Sequence, residues 1–239
     1  KKYDTLIDEV LKFKEEGFKG WKFRPKTPNS NPNHFKRKSN PPSFNKRELI
    51  SFCYKLRKLV GDQFPLMIDF GSRIKNIKDA EFIINNLIDL NFYFIEEPMQ
   101  LNKANYLKLN KLSKKLKIAI GETINSMENA IKLSHFNADI LQPDSNLIEI
   151  DQIMKLINLN LAEEIILHNW SFPISMLSNF HIASASNKIN LVEFSSIGEN
   201  QKNRVLRKKL DIRNGFYFHN ASPGFGYTLN ENNLIRIKT

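Results

Sequence analysis

The sequence has a single cysteine, no long apolar run and no secretory signal pattern. One cysteine excludes an internal disulfide framework, and Cys53 lies in the amphipathic segment LISFCYKL, where a small core residue is expected. No apolar stretch approaches the roughly 18 residues that a membrane-spanning helix needs. We therefore expect a cytoplasmic protein without a membrane partner. The sequence also begins without methionine and directly in a predicted helix, so we expect an N-terminal portion to be absent.

Acidic residues are fewer than basic ones, since 25 aspartates and glutamates stand against 36 lysines and arginines and give a formal net charge of +11. Such a charge raises the question of nucleic-acid binding. The lysines, however, are spread over predicted helix surfaces, as in KLRKL and KLNKLSKKLK, and are not gathered on one groove-entering element. Net charge bears on solubility and on the steering of charged ligands. We expect no nucleic-acid partner.

The pattern of segments is typical of an α/β protein. With 239 residues and 41% hydrophobic content, the chain can bury the core of one large domain. Short apolar strands alternate with amphipathic helices, as expected for a sheet that is covered on both faces. The predicted strands are 20–25, 66–70, 92–96, 117–121, 139–142, 164–168 and 190–194, and the predicted helices are 3–17, 46–59, 78–90, 103–115, 126–135, 149–160 and 175–186.

This alternation predicts right-handed parallel crossovers and a TIM-type barrel. The predicted strands number seven, whereas a closed barrel of this type has eight. The missing first strand should therefore precede residue 1. The barrel is predicted to span residues 1–205. The tail, residues 206–239, is rich in turns and aromatic residues and does not form another strand–helix unit.

A polar, proline-rich loop, residues 27–44, follows the first predicted strand. Loops of this length in compact domains are usually functional or disordered. Because it follows the C-terminal end of a strand, the loop should lie on the rim that carries the active site in parallel α/β barrels. The sequence leaves open whether its basic side chains attract acidic substrates or form a solvated surface: His34, Lys36, Arg37 and Lys38.

Six predicted strands are each closed by an acidic residue or a histidine, and these residues recur at nearly constant spacing. The intervals between these residues are 27, 26, 22, 24 and 25, which suits one strand, one helix and two loops. Residues that recur at the same point of each unit lie on one rim of a closed parallel sheet and face a common centre. The six residues are Asp69, Glu96, Glu122, Asp144, His168 and Glu193.

The first three members of this series predict a metal site. Asp69, Glu96 and Glu122, at the ends of successive strands, would repel one another unless a cation neutralised them. Ligation by oxygen alone favours a hard ion, Mg²⁺ before Mn²⁺ or Ca²⁺. Any one of them alone would be read more simply as a helix cap or as a solvated loop carboxylate.

Asp144 and His168 end the next two strands, which predicts a dyad whose carboxylate orients the imidazole and raises its basicity. Glu193 is placed to hydrogen-bond a substrate opposite the metal. Lys22 and Arg24 lie two residues apart on the first predicted strand, so both point to one side. They either meet an anionic substrate group or form a rim salt bridge. Arg24 stays protonated at ordinary pH and cannot act as a base.

The ordered series KFR, MIDFG, FIEEP, IGE, LQPD, LHNW and LVE resembles the enolase superfamily, in its mandelate racemase/muconate lactonizing enzyme-like branch. The resemblance extends from about residue 3 to the C-terminus and implies a modified (β/α)7β barrel. It implies that an essential Mg²⁺ holds the substrate carboxylate and stabilises the enediolate left after removal of the α-proton. The implied ligands are Asp69, Glu96 and Glu122, with Asp144 and His168 as the base and Glu193 as a hydrogen-bond partner of the enolate.

The sequence departs from the family pattern at three points. Lys22 occupies the first position of the family's Lys-x-Lys motif. Arg24 occupies the second position, where the family has its catalytic lysine. The first ligand motif reads Asp69-Phe-Gly rather than Asp-x-Asn, which removes a supporting contact beside the metal. We expect the N-terminal α+β capping domain and the first strand to be absent, and the tail resembles a segment that packs against that cap. The resemblance also implies a homo-oligomer.

With one good base left, the sequence favours dehydration of a sugar acid to a 2-keto-3-deoxy acid, catalysed by a Mg²⁺-dependent hydro-lyase. His168 would remove the α-proton and then protonate the departing hydroxide. A first alternative is a racemase or epimerase of a 2-hydroxy acid, in which Lys22 or Lys26 replaces the lost base. A second alternative is an inactive barrel fragment or a binding scaffold.

Overall fold

The computed structural model describes residues 3–25, 44–170, 173–195 and 204–233. Most of the loop predicted at 27–44 lies outside the described residues. The same is true of the loop's four basic side chains and of Lys26, one of the two lysines of the racemase alternative. These residues are Lys26, His34, Lys36, Arg37 and Lys38. The chain divides into two compact units. The first consists of Lys1–Ile120 and His135–Asp139, and the second consists of Gly121–Ser134 and Ile140–Thr239.

In the first unit, helices and strands alternate and the strands pair in parallel. The sheet order is β1-β2-β3-β4, and each strand pairs with the next along the chain. Sequential parallel pairing with intervening helices confirms the predicted α/β class. The elements are α1 (Asp4–Glu15), β1 (Trp21–Phe23), α2 (Lys46–Val60), β2 (Leu66–Asp69), α3 (Ile77–Leu87), β3 (Phe94–Glu96), α4 (Lys103–Leu112) and β4 (Lys117–Ile120).

The central strands of this unit are buried along their whole length. Every residue of β2 and β3 is buried, which explains why their sequences are apolar up to the last residue. The pairing register places Asp69 directly opposite Glu96. Both carboxylates therefore project from the same point of two neighbouring strands, about 4.8 Å apart in the hydrogen-bonding direction.

The second unit continues the alternation with shorter strands. β5 and β6 pair in parallel, and a single parallel bridge joins Leu167 to Val192. The tail forms an antiparallel hairpin of β7 and β8 and a short 3₁₀ helix at Glu231–Asn233. The elements are α5 (Met127–Ser134), β5 (Ile140–Leu141), α6 (Ile150–Asn158), β6 (Glu164–Ile165), α7 (Pro173–Ser184), β7 (Ile212–Arg213) and β8 (Phe216–Tyr217).

Two predicted strands of this unit are wrong in length, for identifiable reasons. The strand predicted at 164–168 ends early because Pro143, on its neighbour, has no N–H to continue the ladder. The strand predicted at 190–194 is reduced to the bridge at Val192. There the backbone N–H of Asn169, which would extend the ladder, donates to a side-chain oxygen of Glu193 at 3.2 Å.

All seven predicted helices are present, with ends within three residues of the predicted ones. Three of them begin after an asparagine whose side chain accepts a hydrogen bond from the first turn: Asn45, Asn76 and Asn102. Such a cap satisfies backbone donors that have no partner within the helix. Among the described helices, none has the length and apolar character needed to cross a membrane.

The tail packs on α7 through aromatic side chains. The ring of Tyr217 stacks on Phe180 with centroids 4.3 Å apart, and the ring of His181 contacts His219 and Phe225. Tyr217 and Phe225 of the tail thus have partners on α7. The domain boundary predicted between residues 205 and 206, and the packing of the tail on a capping domain, stay predictions.

Arg57 connects three segments of the first unit through its buried guanidinium group. Its Nη1 atom donates to the carbonyl oxygens of Gly61 at 2.6 Å and Phe64 at 2.8 Å. Its Nε and Nη2 atoms donate to the carbonyl oxygens of Leu90 and Asn91, each at 2.7 Å. The end of α2, the approach to β2 and the approach to β3 are therefore held by one side chain.

Replacement of Arg57 by alanine should lower the free energy of unfolding by about 3 kcal/mol, because four backbone carbonyl groups, among them that of Leu90 in a buried hydrogen bond, lose a charged donor. Chemical denaturation monitored by circular dichroism measures this change. Lys58→Ala, at the exposed neighbouring position, is the control and should change stability by less than about 0.5 kcal/mol. Equal losses in the two variants would contradict the role of Arg57.

Candidate active site

Two carboxylates close neighbouring strands of the first unit. Asp69 is the last residue of β2 and Glu96 is the last residue of β3, as predicted from the sequence. Their exposed fractions are 8% and 0%. Two negative charges at adjacent positions with so little access to water require compensation by positive charge.

Lys22 and Arg24 supply positive charge to these carboxylates. Lys22 Nζ donates to Glu96 Oε2. Arg24 donates to Asp69 Oδ2 through Nε at 2.7 Å and also through Nη2. Each cation thus contacts a member of the predicted metal set, Lys22 from β1 and Arg24 from the residue after it.

The turns that follow these strands are conformationally unusual. Ser72 and Glu97 have positive φ angles of 60° and 37°. They are joined by a backbone hydrogen bond from Ser72 N to Glu97 O of 2.7 Å and by a hydroxyl–carboxylate contact of 3.3 Å. Non-glycine residues with positive φ are often found at functional sites. No spacing rule in the sequence indicated this link.

Arg73 is a further cation that the sequence analysis missed. Burial lowers the pKa of Arg73, the nearby charge of Arg24 lowers it further, and Asp69 opposes both effects. Its Nη1 atom also lies 3.4 Å from the carbonyl oxygen of Pro25. Asp69 therefore stands in the field of two guanidinium groups.

In the second unit, one imidazole is surrounded by three carboxylates. His168 Nδ1 lies 2.8 Å from Asp144 Oδ2, so the two residues of the predicted dyad are within hydrogen-bonding distance. His168 Nε2 lies 3.6 Å from Glu122 Oε2 and 3.9 Å from Glu193 Oε2. With Nδ1 engaged by Asp144, Nε2 is the nitrogen available for proton transfer. The carboxylates favour the charged imidazolium.

The dyad is held by hydrogen bonds on both sides. Asp144 Oδ1 accepts from the backbone N and the side-chain Nδ2 of Asn146, at 2.8 and 2.6 Å. The backbone of His168 donates to the carbonyl oxygen of Pro143 at 3.1 Å and accepts from Asn179 Nδ2 at 2.9 Å. The Asp-Ser-Asn sequence is a recognisable turn signal that would have indicated Asn146. Asn179 lies on α7, and no local pattern indicates it.

Four of the candidate residues lie beyond the strands that they were predicted to close. Glu122 is two residues past the end of β4, after Gly121 at a φ of 114°. The positive φ favours glycine, and a Cβ atom at Gly121 would also lie 2.8 Å from Ile124 Cδ1 and 3.2 Å from the backbone N of Gln142. Asp144 and His168 likewise follow β5 and β6 by three residues, and Glu193 follows an isolated bridge.

The residues present fit a hard divalent cation. The candidate set is made of carboxylate oxygens, which Mg²⁺ prefers. Asp69 Oδ1 is buried, and no described residue gives it a hydrogen bond. A buried carboxylate oxygen without a donor needs a partner, and a cation would provide one.

Asp144→Asn is expected to weaken the hold of His168 on its second proton, because the negative partner of the imidazolium is removed. A ¹H–¹⁵N NMR titration of the His168 ring measures the pH at which that proton is lost. The control is Asn146→Ala, which removes a contact of Asp144 but keeps its charge. An unchanged titration in Asp144→Asn would contradict the dyad.

A family model described as enolase C-terminal domain-like matches residues 5–233. Among curated proteins, arabinonate dehydratase from Saccharolobus solfataricus is 26% identical over 183 residues, which covers 74% of this chain and 48% of the relative. The chain therefore spans about half the length of this relative.

Solved structures show the same fold. The mandelate racemase/muconate lactonizing enzyme-like protein from Rubrobacter xylanophilus gives a TM-score of 0.81 at 18% identity, covering 95% of this chain and 59% of that chain. L-talarate dehydratase from Polaromonas sp., complexed with Mg and L-glucarate, gives a TM-score of 0.75 at 22% identity, covering 96% and 58%. These matches confirm the predicted TIM-type α/β fold.

Proposed function

Because the chain belongs to the enolase superfamily, as an enolase C-terminal domain-like protein, we propose that it carries the catalytic barrel of an enzyme that removes the proton next to a substrate carboxylate. The reaction we propose is dehydration of a sugar acid to a 2-keto-3-deoxy acid. Two relatives are named arabinonate dehydratase and L-talarate dehydratase, and these names support the substrate class. The observation that carries the proposal is the contact between His168 and Asp144.

The dyad performs both proton transfers in this proposal. His168 Nε2 takes the proton from the carbon that bears the carboxylate, and Asp144 stabilises the resulting imidazolium. The hydroxyl group on the next carbon then leaves and takes the same proton from His168 as it departs, so that water is released. The enol product tautomerises to the 2-keto acid. One residue therefore acts first as base and then as acid.

We propose Asp69, Glu96 and Glu122 as the ligands of Mg²⁺. The assignment rests on their order in the sequence, on family membership and on the buried Oδ1 atom of Asp69. When bound, the ion would neutralise the substrate carboxylate and so stabilise the negative charge that develops on loss of the neighbouring proton.

The remaining candidate residues have substrate-binding roles in the proposal. Lys22, in the middle of β1, carries positive charge and meets the anionic end of the substrate. Glu193 hydrogen-bonds a substrate oxygen. It also accepts a hydrogen bond from the backbone of Asn169 at 3.2 Å, which fixes the position of its carboxyl group.

The ion pairs that Lys22 and Arg24 form with carboxylates favour dehydration over racemisation. A racemase needs a second base on the opposite face of the substrate, and neither cation is suited to this role. Arg24 stays protonated and is hydrogen-bonded to Asp69. Lys22 is paired with Glu96, which favours its charged form and so opposes its action as a base.

His168→Asn is expected to reduce turnover by about 10²- to 10⁴-fold, because the group that transfers the proton is lost. A panel of sugar acids incubated with Mg²⁺ and assayed for 2-keto-3-deoxy acids measures this loss. The control is His135→Asn, the same exchange at a histidine outside the candidate site, which should retain turnover. Equal turnover in both variants would contradict the role of His168.

The same panel in deuterated water separates dehydration from the alternatives. Dehydration gives a keto acid with deuterium on the carbon that lost the hydroxyl group. Recovery of the substrate with deuterium and inverted configuration would instead support a racemase or epimerase. If the chain neither turns over the panel nor binds Mg²⁺, the proposed function is wrong and the second alternative, an inactive barrel fragment or a binding scaffold, is favoured.

Asp69→Asn and Glu96→Gln should each weaken Mg²⁺ binding by about tenfold or more, since each removes a negative ligand. Isothermal titration calorimetry measures the affinity. The matched control is Asp79→Asn. Asp79 is a carboxylate of the same unit, at the start of α3, and pairs with Lys46, so its replacement should leave the affinity unchanged. Unchanged binding in the first two variants would contradict the ligand assignment.

A further inference from the structure

Arg24 directs both of its contacts to a single oxygen of Asp69. Its Nε atom donates to Oδ2 at 2.7 Å, and its Nη2 atom donates to the same oxygen. The other oxygen, Oδ1, is buried and receives no hydrogen bond from the residues that the structure describes. The guanidinium group thus distinguishes the two carboxylate oxygens of Asp69.

Gly71 borders this contact. A Cβ atom at this position would lie 3.5 Å from Arg24 Cζ, 3.6 Å from Arg24 Nη2 and 3.6 Å from Asp69 Oδ1. The Cβ itself would be in ordinary van der Waals contact, so any longer side chain that grew in this direction would meet the guanidinium or the carboxylate. The φ angle of 51° also favours glycine.

We propose that Arg24 is a positioning residue that fixes Asp69 through Oδ2 and thereby presents Oδ1 to the divalent cation. Gly71 leaves the space that the guanidinium occupies. This inference rests on the proposed function, which assigns Asp69 as a ligand. It gives Arg24 a task other than proton transfer, and it couples two positions 47 residues apart in the sequence.

Arginine suits this task better than lysine. A guanidinium group is planar and presents several donors in a fixed arrangement, so two of them can converge on one carboxylate oxygen and hold its position. A lysine ammonium group is a single charge on a flexible chain and would hold that oxygen less firmly. The positive charge of Arg24 also opposes the approach of a second cation. Positioning and charge therefore predict opposite effects when the residue is changed.

Substitution of Arg24 separates these two effects. If positioning dominates, both Arg24→Lys and Arg24→Gln weaken Mg²⁺ binding by about tenfold in calorimetry, even though glutamine removes the competing charge. Tighter binding in Arg24→Gln would show that the guanidinium acts as a competing cation and would overturn the inference. Lys46→Gln, which removes the cation of the Lys46–Asp79 pair, is the matched control and should leave the affinity unchanged.

A coupled substitution tests the role of Gly71. Gly71→Asn is chosen because asparagine tolerates positive φ better than most residues with a side chain. It should displace the guanidinium and weaken Mg²⁺ binding by about tenfold in the unmodified chain, but it should add little to the loss in Arg24→Lys. Losses that simply multiply in the double variant would contradict the coupling between the two positions.

A measurement without metal completes the test. In the Mg²⁺-free chain, the Nε–H proton of Arg24 should exchange slowly with water, and Gly71→Asn should bring its exchange to that of an unconstrained arginine. Fast exchange in the unmodified chain would overturn the inference whatever the metal does. Binding of Mg²⁺ that is lost in Asp69→Asn but unaffected in every Arg24 variant would overturn the inference alone. Absence of Mg²⁺ binding in the unmodified chain would overturn the proposed function and this inference with it.

Discussion

The parallel register of β2 and β3 is the constraint on which the candidate site depends. It places the carboxylates of Asp69 and Glu96 side by side, both of them buried. Like charges in such a position are unfavourable unless cations lie against them. Lys22 and Arg24 meet this need, and they do so from the neighbouring strand β1 and the residue after it. The arrangement of charges in the first unit follows from this one pairing.

The chemistry of the second unit depends on a different charge arrangement, in which three carboxylates lie near one imidazole. Asp144 fixes the orientation of His168 and favours its charged form, and Glu122 and Glu193 add to this effect at longer range. An imidazole that is already protonated at the working pH cannot accept a proton from carbon. In the proposed function, Glu122 is committed to the metal and Glu193 to the substrate, which leaves Asp144 as the partner that sets the basicity of His168.

The helices and the order of the strands followed from periodicity and turn residues, because these signals are local. Strand lengths did not, because a ladder ends where a particular hydrogen bond fails. Pro143 lacks the donor that would extend the ladder to residue 168, and the side chain of Glu193 accepts the donor of Asn169. Both events depend on a neighbour in space, which is Pro143 for the strand predicted at 164–168 and Asn169 for the strand predicted at 190–194. The candidate residues therefore follow their strands more often than they close them.

The sequence by itself determined the fold class and the set of candidate residues, because regular spacing of apolar segments and of the polar residues after them reflects a repeated strand–helix unit. It did not determine which charges meet. Lys22 pairs with a residue 74 positions away and Arg24 with one 45 positions away, and a one-residue shift of strand register would turn these side chains to opposite faces. Only the tertiary structure decided these contacts, because they depend on strand register and on the space beside Gly71, neither of which a single segment contains.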